Sequence, residues 1–223
     1  MIDYLQARTT MVDCQLRPNG VTDLAVLEAF STVPREEFVP SRSRALSYTD
    51  EDIAVQPDST GHSARYLMAP MALAKLISLA GIEKDDIVLD IGCASGYSTA
   101  LLSLLCNSVV ALECDEDLAR QAGEKLTELN YDNAVVVSGA LEDGYASEGP
   151  YDIIFIGGAV DRVPEALFSQ LKDGGRLAVV EGVGNAGVAR LYTKNGDIAS
   201  GRSGFNCAVK PLPGFQVAEE FVL

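Results

Sequence analysis

The residues with the most obvious chemical potential lie in one short run, Val88-Leu89-Asp90-Ile91-Gly92-Cys93-Ala94-Ser95-Gly96-Tyr97, where an apolar stretch meets a turn of small residues and then a helical pattern. Small side chains in such a turn let the backbone approach a ligand closely, and the N–H groups that open the following helix have no partner within it. This is the chemistry of a nucleotide-type site. Glu113 closes the next apolar stretch, where a carboxylate can accept hydrogen bonds from both hydroxyls of a ribose. The residues expected to line the ligand are therefore Asp90, Gly92, Cys93, Ala94, Ser95, Gly96 and Glu113. Glycine turns also serve packing alone; the order strand, turn, helix, strand, acid is what points to a ligand. A dinucleotide such as NAD is a rival occupant, but its site needs Gly-x-Gly-x-x-Gly to seat a pyrophosphate, and this turn reads Gly92-x-Ala94-x-Gly96 behind Asp90.

Other reactive side chains are sparse. His62 is the single histidine and lacks the pair of nearby carboxylates that a metal site would need. A lone histidine could serve as a general base, but a loop histidine with no catalytic task is the favoured reading. The five cysteines, Cys14, Cys93, Cys106, Cys114 and Cys207, are scattered without a Cys-x-x-Cys pair, so they read as reduced thiols, and Cys93 reads as a space-filler in the turn.

The elements that must position this turn are legible as alternating short β-branched runs and helical patterns, the mark of βαβ units and a parallel sheet. Strands are expected at 87–91, 109–113, 134–137, 153–156 and 176–180, and their near-continuous apolar character implies burial on both faces. Helices are expected at 97–105, 116–129 and 164–171, with Pro164 in the first turn of the last and Gly174-Gly175 at its exit. Asn195-Gly196 signals a hairpin, so the sheet should end with antiparallel strands. Ahead of the sheet lie helical stretches near 23–32 and 67–79, joined by a polar segment from Pro34 to Arg65 that is too long for a mere connection and could cover the site. The expectation is one domain, with residues 1–80 as a helical, substrate-side extension and 81–223 as a Rossmann-like core.

With 17 basic against 32 acidic residues the net charge is −15, a surface that repels a phosphate backbone and makes nucleic acid a poor partner. No apolar run approaches the roughly 20 residues needed to span a bilayer, and Met1-Ile2-Asp3-Tyr4 carries no signal pattern, so a cytoplasmic protein is expected. Oligomeric state is left open.

The strand, turn and Asp90-x-Gly92-x-Ala94-x-Gly96 pattern resembles the first motif of class I S-adenosylmethionine-dependent methyltransferases, with Ala94 for the middle glycine. Longer runs narrow the resemblance. Met11-Val12-Asp13-Cys14-Gln15-Leu16-Arg17-Pro18, Val33-Pro34-Arg35-Glu36-Glu37-Phe38-Val39-Pro40, Pro150-Tyr151-Asp152 and Gln170-Leu171-Lys172-Asp173-Gly174-Gly175 are similar to the protein-L-isoaspartate O-methyltransferases. That resemblance implies S-adenosyl-L-methionine as cofactor and, as methyl acceptor, the carboxylate of isoaspartyl residues in damaged proteins. It places the family's Thr-Ile-Ser-x-Pro on Gly61-His62-Ser63-Ala64-Arg65, making Ser63 the candidate catalytic residue, a donor that orients the acceptor. It places the family's Gly-Asp-Gly on Gly139-Ala140-Leu141, so Ala140 and Leu141 would meet adenine through backbone and apolar contact without a carboxylate. A carboxylate acceptor is already ionised at neutral pH and needs positioning, not a base. The departures keep two alternatives open: a methyltransferase for another carboxylate or small nucleophile, with Arg65 favouring an anion, and a cofactor-binding protein without catalysis.

Overall fold

The computed structural model describes residues 2–58, 63–182 and 184–216. Its centre is a seven-stranded sheet of β3 (Ile87–Ile91), β4 (Ser108–Glu113), β5 (Ala134–Ser138), β6 (Tyr151–Val160), β7 (Leu171–Glu181), β8 (Val188–Asn195) and β9 (Ile198–Asn206), in the order β5-β4-β3-β6-β7-β8-β9. The first five are parallel neighbours, and β8 and β9 pair antiparallel through the turn at Gly196. This is the expected Rossmann-like architecture. Strand order reverses between β3 and β6, which opens a crevice beyond the C-terminal ends of those strands, the usual ligand position in open α/β sheets.

Both faces of the central strands are covered, which explains why they read as unbroken apolar runs. One face packs against α3 (Pro70–Ala80), α4 (Tyr97–Ser103), α5 (Glu116–Glu128) and the helices of the N-terminal extension, α1 (Tyr4–Met11) and α2 (Leu24–Thr32), in a single buried cluster running from Met11 to Val209. The other packs against α6 (Glu165–Ser169), Leu141 and the C-terminal segment with Leu212 and Phe215. Each fully buried Leu or Ile contributes about 1.5–3 kcal/mol, so this layering dominates stability. Local signals set the helix ends: Asp115 caps α5 by accepting from Leu118 N at 2.9 Å, and Pro70 opens α3, whose exit is Gly81 at φ +60°.

The structure revises several sequence-derived bounds. Strands β6 and β7 run well past the expected 153–156 and 176–180, and β7 absorbs Gly174-Gly175, the expected helix exit. The stretch expected to begin a helix near Leu67 is instead β2 (Arg65–Leu67), which pairs antiparallel with β1 (Ile53–Gln56), and the helix starts at Pro70. The long segment from Pro34 thus holds a hairpin laid over the C-terminal ends of the parallel strands. Gln56 fixes it there through Asp115 Oδ2 at 2.9 Å. From the other side the chain near residue 211 joins the end of β6, with Ala159 N donating to Lys210 O and Leu212 N to Ala159 O, both at 2.9 Å. No described helix is long and apolar enough to cross a membrane.

Candidate active site

The turn after β3 has the geometry its composition implies. Gly92 and Gly96 take φ of +81° and +92°, a region where a Cβ is unfavourable. Ala94 also lies there, at φ +50°. Its methyl group is therefore more than added bulk: it forces an L-residue into left-handed backbone, at about 1–2 kcal/mol. Ser95 holds a buried hydroxyl without a hydrogen-bond partner among the described residues, and Cys93 is buried, which pushes its thiol well above its usual range.

Asp90 sits at the penultimate position of β3, fully buried. Its Oδ2 accepts from Ser98 Oγ at 2.8 Å and Thr99 Oγ1 at 2.7 Å, while Oδ1 has no partner. Burial pushes its pKa up to about 6 despite those two hydroxyls, with the charge of Glu113 adding to the rise.

Glu113, at the C-terminal end of β4, is equally buried but fully engaged. Arg65 Nε and Nη2 reach its Oε1 and Oε2 at 3.0 and 2.8 Å, a bidentate pair. Ala94 N adds a bond to Oε2 at 2.8 Å and Cys114 N one to Oε1 at 2.9 Å. Burial pushes the Glu113 carboxyl up, and the guanidinium with these donors more than offsets it, leaving it below the usual carboxylate range. Arg65 is delivered by strand alternation: in β2, Arg65 and Leu67 are buried while Tyr66 between them is half-buried, so the strand turns its first side chain inward.

The other sequence-derived residues are spread more widely. Ser63 is exposed, two positions before Arg65. Gly61 and His62 lie outside the described residues. Ala140 is exposed beyond β5, and Leu141 is buried in the core cluster beneath it.

A nucleoside-type cofactor finds suitable donors here, but Arg65 and Leu212 take the space in front of Gly92. A Cβ placed on Gly92 would stand 2.8 Å from Leu212 Cδ2 and 3.1 Å from Arg65 Nη2. The cavity against Gly92, Cys93 and Ala94 measures only about 20 Å³, while one of about 290 Å³ opens on the other side of the turn, between Ser95, Val55 and Leu118. In this conformation the approach of a cofactor to Gly92 and Glu113 is blocked by this chain's own side chains. Sequence reasoning placed Arg65 toward an anionic substrate; the anion it meets is Glu113. The signal was the replacement of a family proline by a cation, and only the hairpin's register shows which way that cation points.

A family model described as protein-L-isoaspartate(D-aspartate) O-methyltransferase matches residues 7–210. A protein-L-isoaspartate O-methyltransferase of Koribacter versatilis is 36% identical over 185 residues, covering 83% of this chain and 80% of that protein. A protein-L-isoaspartate O-methyltransferase 2 of Shewanella sediminis is 40% identical over 176 residues, covering 79% and 70%. Among solved structures, a protein-L-isoaspartate O-methyltransferase superposes with a TM-score of 0.81 at 28% identity, over 93% of this chain and 67% of that one. A Plasmodium falciparum structure in complex with S-adenosyl-L-homocysteine shares the fold, with a TM-score of 0.76 at 19% identity over 96% and 100%. The chain therefore belongs to the protein-L-isoaspartate O-methyltransferase family, S-adenosylmethionine-dependent methyltransferases of Rossmann-like fold.

Proposed function

We propose that this protein methylates the carboxylate of L-isoaspartyl residues in damaged proteins, with S-adenosyl-L-methionine as donor. The observation that carries the reading is the family match over residues 7–210, which takes in the turn, Glu113 and the hairpin together. Asp90, Gly92, Cys93, Ala94, Ser95, Gly96 and Glu113 form the cofactor side, with Ala140 and Leu141 toward adenine. Residues 1–80 form the acceptor side. Ser63 is exposed at its edge, so its hydroxyl is open to a peptide and can orient the acceptor carboxylate. That carboxylate is ionised at neutral pH, so transfer needs positioning of the acceptor and no proton abstraction. A net charge of −15 disfavours a nucleic-acid acceptor.

The test is transfer of labelled methyl to an isoaspartyl peptide and to its aspartyl twin. Labelling of the first alone is expected. Equal labelling of both, or of neither while cofactor binds, would assign the chain a different acceptor.

A further inference from the structure

One side chain accounts for the block at the Gly92 and Glu113 edge of the site. Arg65 takes both carboxylate oxygens of Glu113, the acid that would receive the ribose hydroxyls, and its Nη2 stands against Gly92 where the turn should be open. The pair is nearly dry, with Arg65 only 2% exposed. The hairpin carrying Arg65 is held down at a second point by the bond from Gln56 to Asp115, two residues beyond Glu113. A bidentate ion pair and a side-chain clasp thus close the same edge of the site from one two-stranded element.

We propose that Arg65 is an internal occupant of the cofactor site, and that β1–β2 is a latch which must lift before cofactor can reach Glu113. The inference rests on the methyltransferase reading and adds its regulation. Cofactor and guanidinium compete for one carboxylate, so measured affinity equals the affinity of the open site reduced by the fraction of molecules in which the latch is open. Loosening either attachment should raise that fraction.

Calorimetric binding of S-adenosylhomocysteine to the full chain, to Arg65→Ala and to Gln56→Ala tests this. The ligand's sulfur is uncharged, so removing a cation does not by itself draw it in. Arg65→Ala is expected to bind at least tenfold more tightly than the unaltered chain, and Gln56→Ala several-fold. Gln56→Ala strands no buried charge and keeps the test open if Arg65→Ala fails to fold. Unaltered chain that binds as tightly as every folded variant overturns the latch and leaves the methyltransferase reading intact. Absence of binding by every folded form overturns both. Tighter binding by the variants with no labelling of isoaspartyl peptide sustains the latch and overturns the acceptor.

Discussion

Two carboxylates at the C-terminal ends of adjacent strands, Asp90 on β3 and Glu113 on β4, show how little burial alone decides. Both are fully excluded from solvent. Asp90 has two hydroxyl donors on one oxygen and none on the other, and burial holds its pKa up at about 6. Glu113 faces a guanidinium and backbone N–H groups on both oxygens, and its pKa is lowered in spite of burial. The desolvation penalty is common to both; the partner's charge sets the sign. The turn residue Ala94 links them in the chain, since it follows the strand of Asp90 and donates its N–H to Glu113.

The comparison breaks most severely at Arg65. Arg65→Ala leaves Glu113 buried with N–H donors but no cation, a loss of about 3 kcal/mol that a urea denaturation midpoint at pH 7 would read. Its pH dependence should also reverse. With Arg65 present the folded pKa of Glu113 lies below the ordinary 4.5, so its contribution is present above that pH and is lost as pH falls through the lower folded value. Without Arg65 the folded pKa rises, and the carboxylate opposes folding at neutral pH. A variant as stable as the unaltered chain at pH 7 would show that water already supplies what Arg65 does.

A smaller and opposite effect is expected at Asp90. Its pKa rises from 3.8 to about 6 on folding, so the folded state binds the proton more tightly and stability declines as pH rises across that window. The full penalty above pH 6 is about 3 kcal/mol by linkage. Asp90→Asn removes it, while the amide oxygen can still accept from Ser98 and Thr99. The amide NH₂ left without a partner costs about 1–2 kcal/mol, for a net gain of about 1 kcal/mol at pH 7. Denaturation at pH 4 and pH 7 checks this: the variant should lose the decline between them, and a decline of unchanged size would place its origin elsewhere.

The same pair separates what the sequence made legible from what it did not. The five parallel strands and the turn could be read because each is a local pattern, an apolar run or a cluster of small residues whose meaning does not depend on distant chain. Glu113 could be read because its place at a strand end is fixed by order. The ion pair could not. Arg65 and Glu113 are joined by the docking of β1–β2, and β2 is three residues long, too short to show an alternation against the helical pattern that follows it. The helical pattern therefore reads as starting near Leu67, three residues before the helix itself begins at Pro70. The first helix, Tyr4–Met11, was missed for a similar reason: its apolar face is weak, with Met11 its one buried residue. The left-handed backbone at Ala94 is likewise illegible, because composition reports the volume of a side chain and not the conformation of the chain beneath it.

Ala94 also provides the mildest test of how the turn supports both acids. Besides glycines, Ala94 and Asn130 have positive φ among the described residues, at +50° and +62°. Asn130 follows the C-terminal end of α5, and asparagine accepts left-handed backbone because its short polar side chain can bond locally. Alanine has no such compensation, so its strain of about 1–2 kcal/mol is uncompensated by its own side chain. It is held by the N–H bond to Glu113 and by the flanking glycines, which leave the chain no easier path. Ala94→Gly relieves the strain and gives back about 0.4–1 kcal/mol through a freer unfolded chain. The net expectation is a gain of about 0.5–1 kcal/mol, or roughly 1–4 °C in Tm for a domain of this size. Because the N–H bond to Glu113 is a backbone bond, the gain should persist in an Arg65→Ala background. A gain that disappears there would mean that the turn is held in its left-handed form by the ion pair and not by its own glycines.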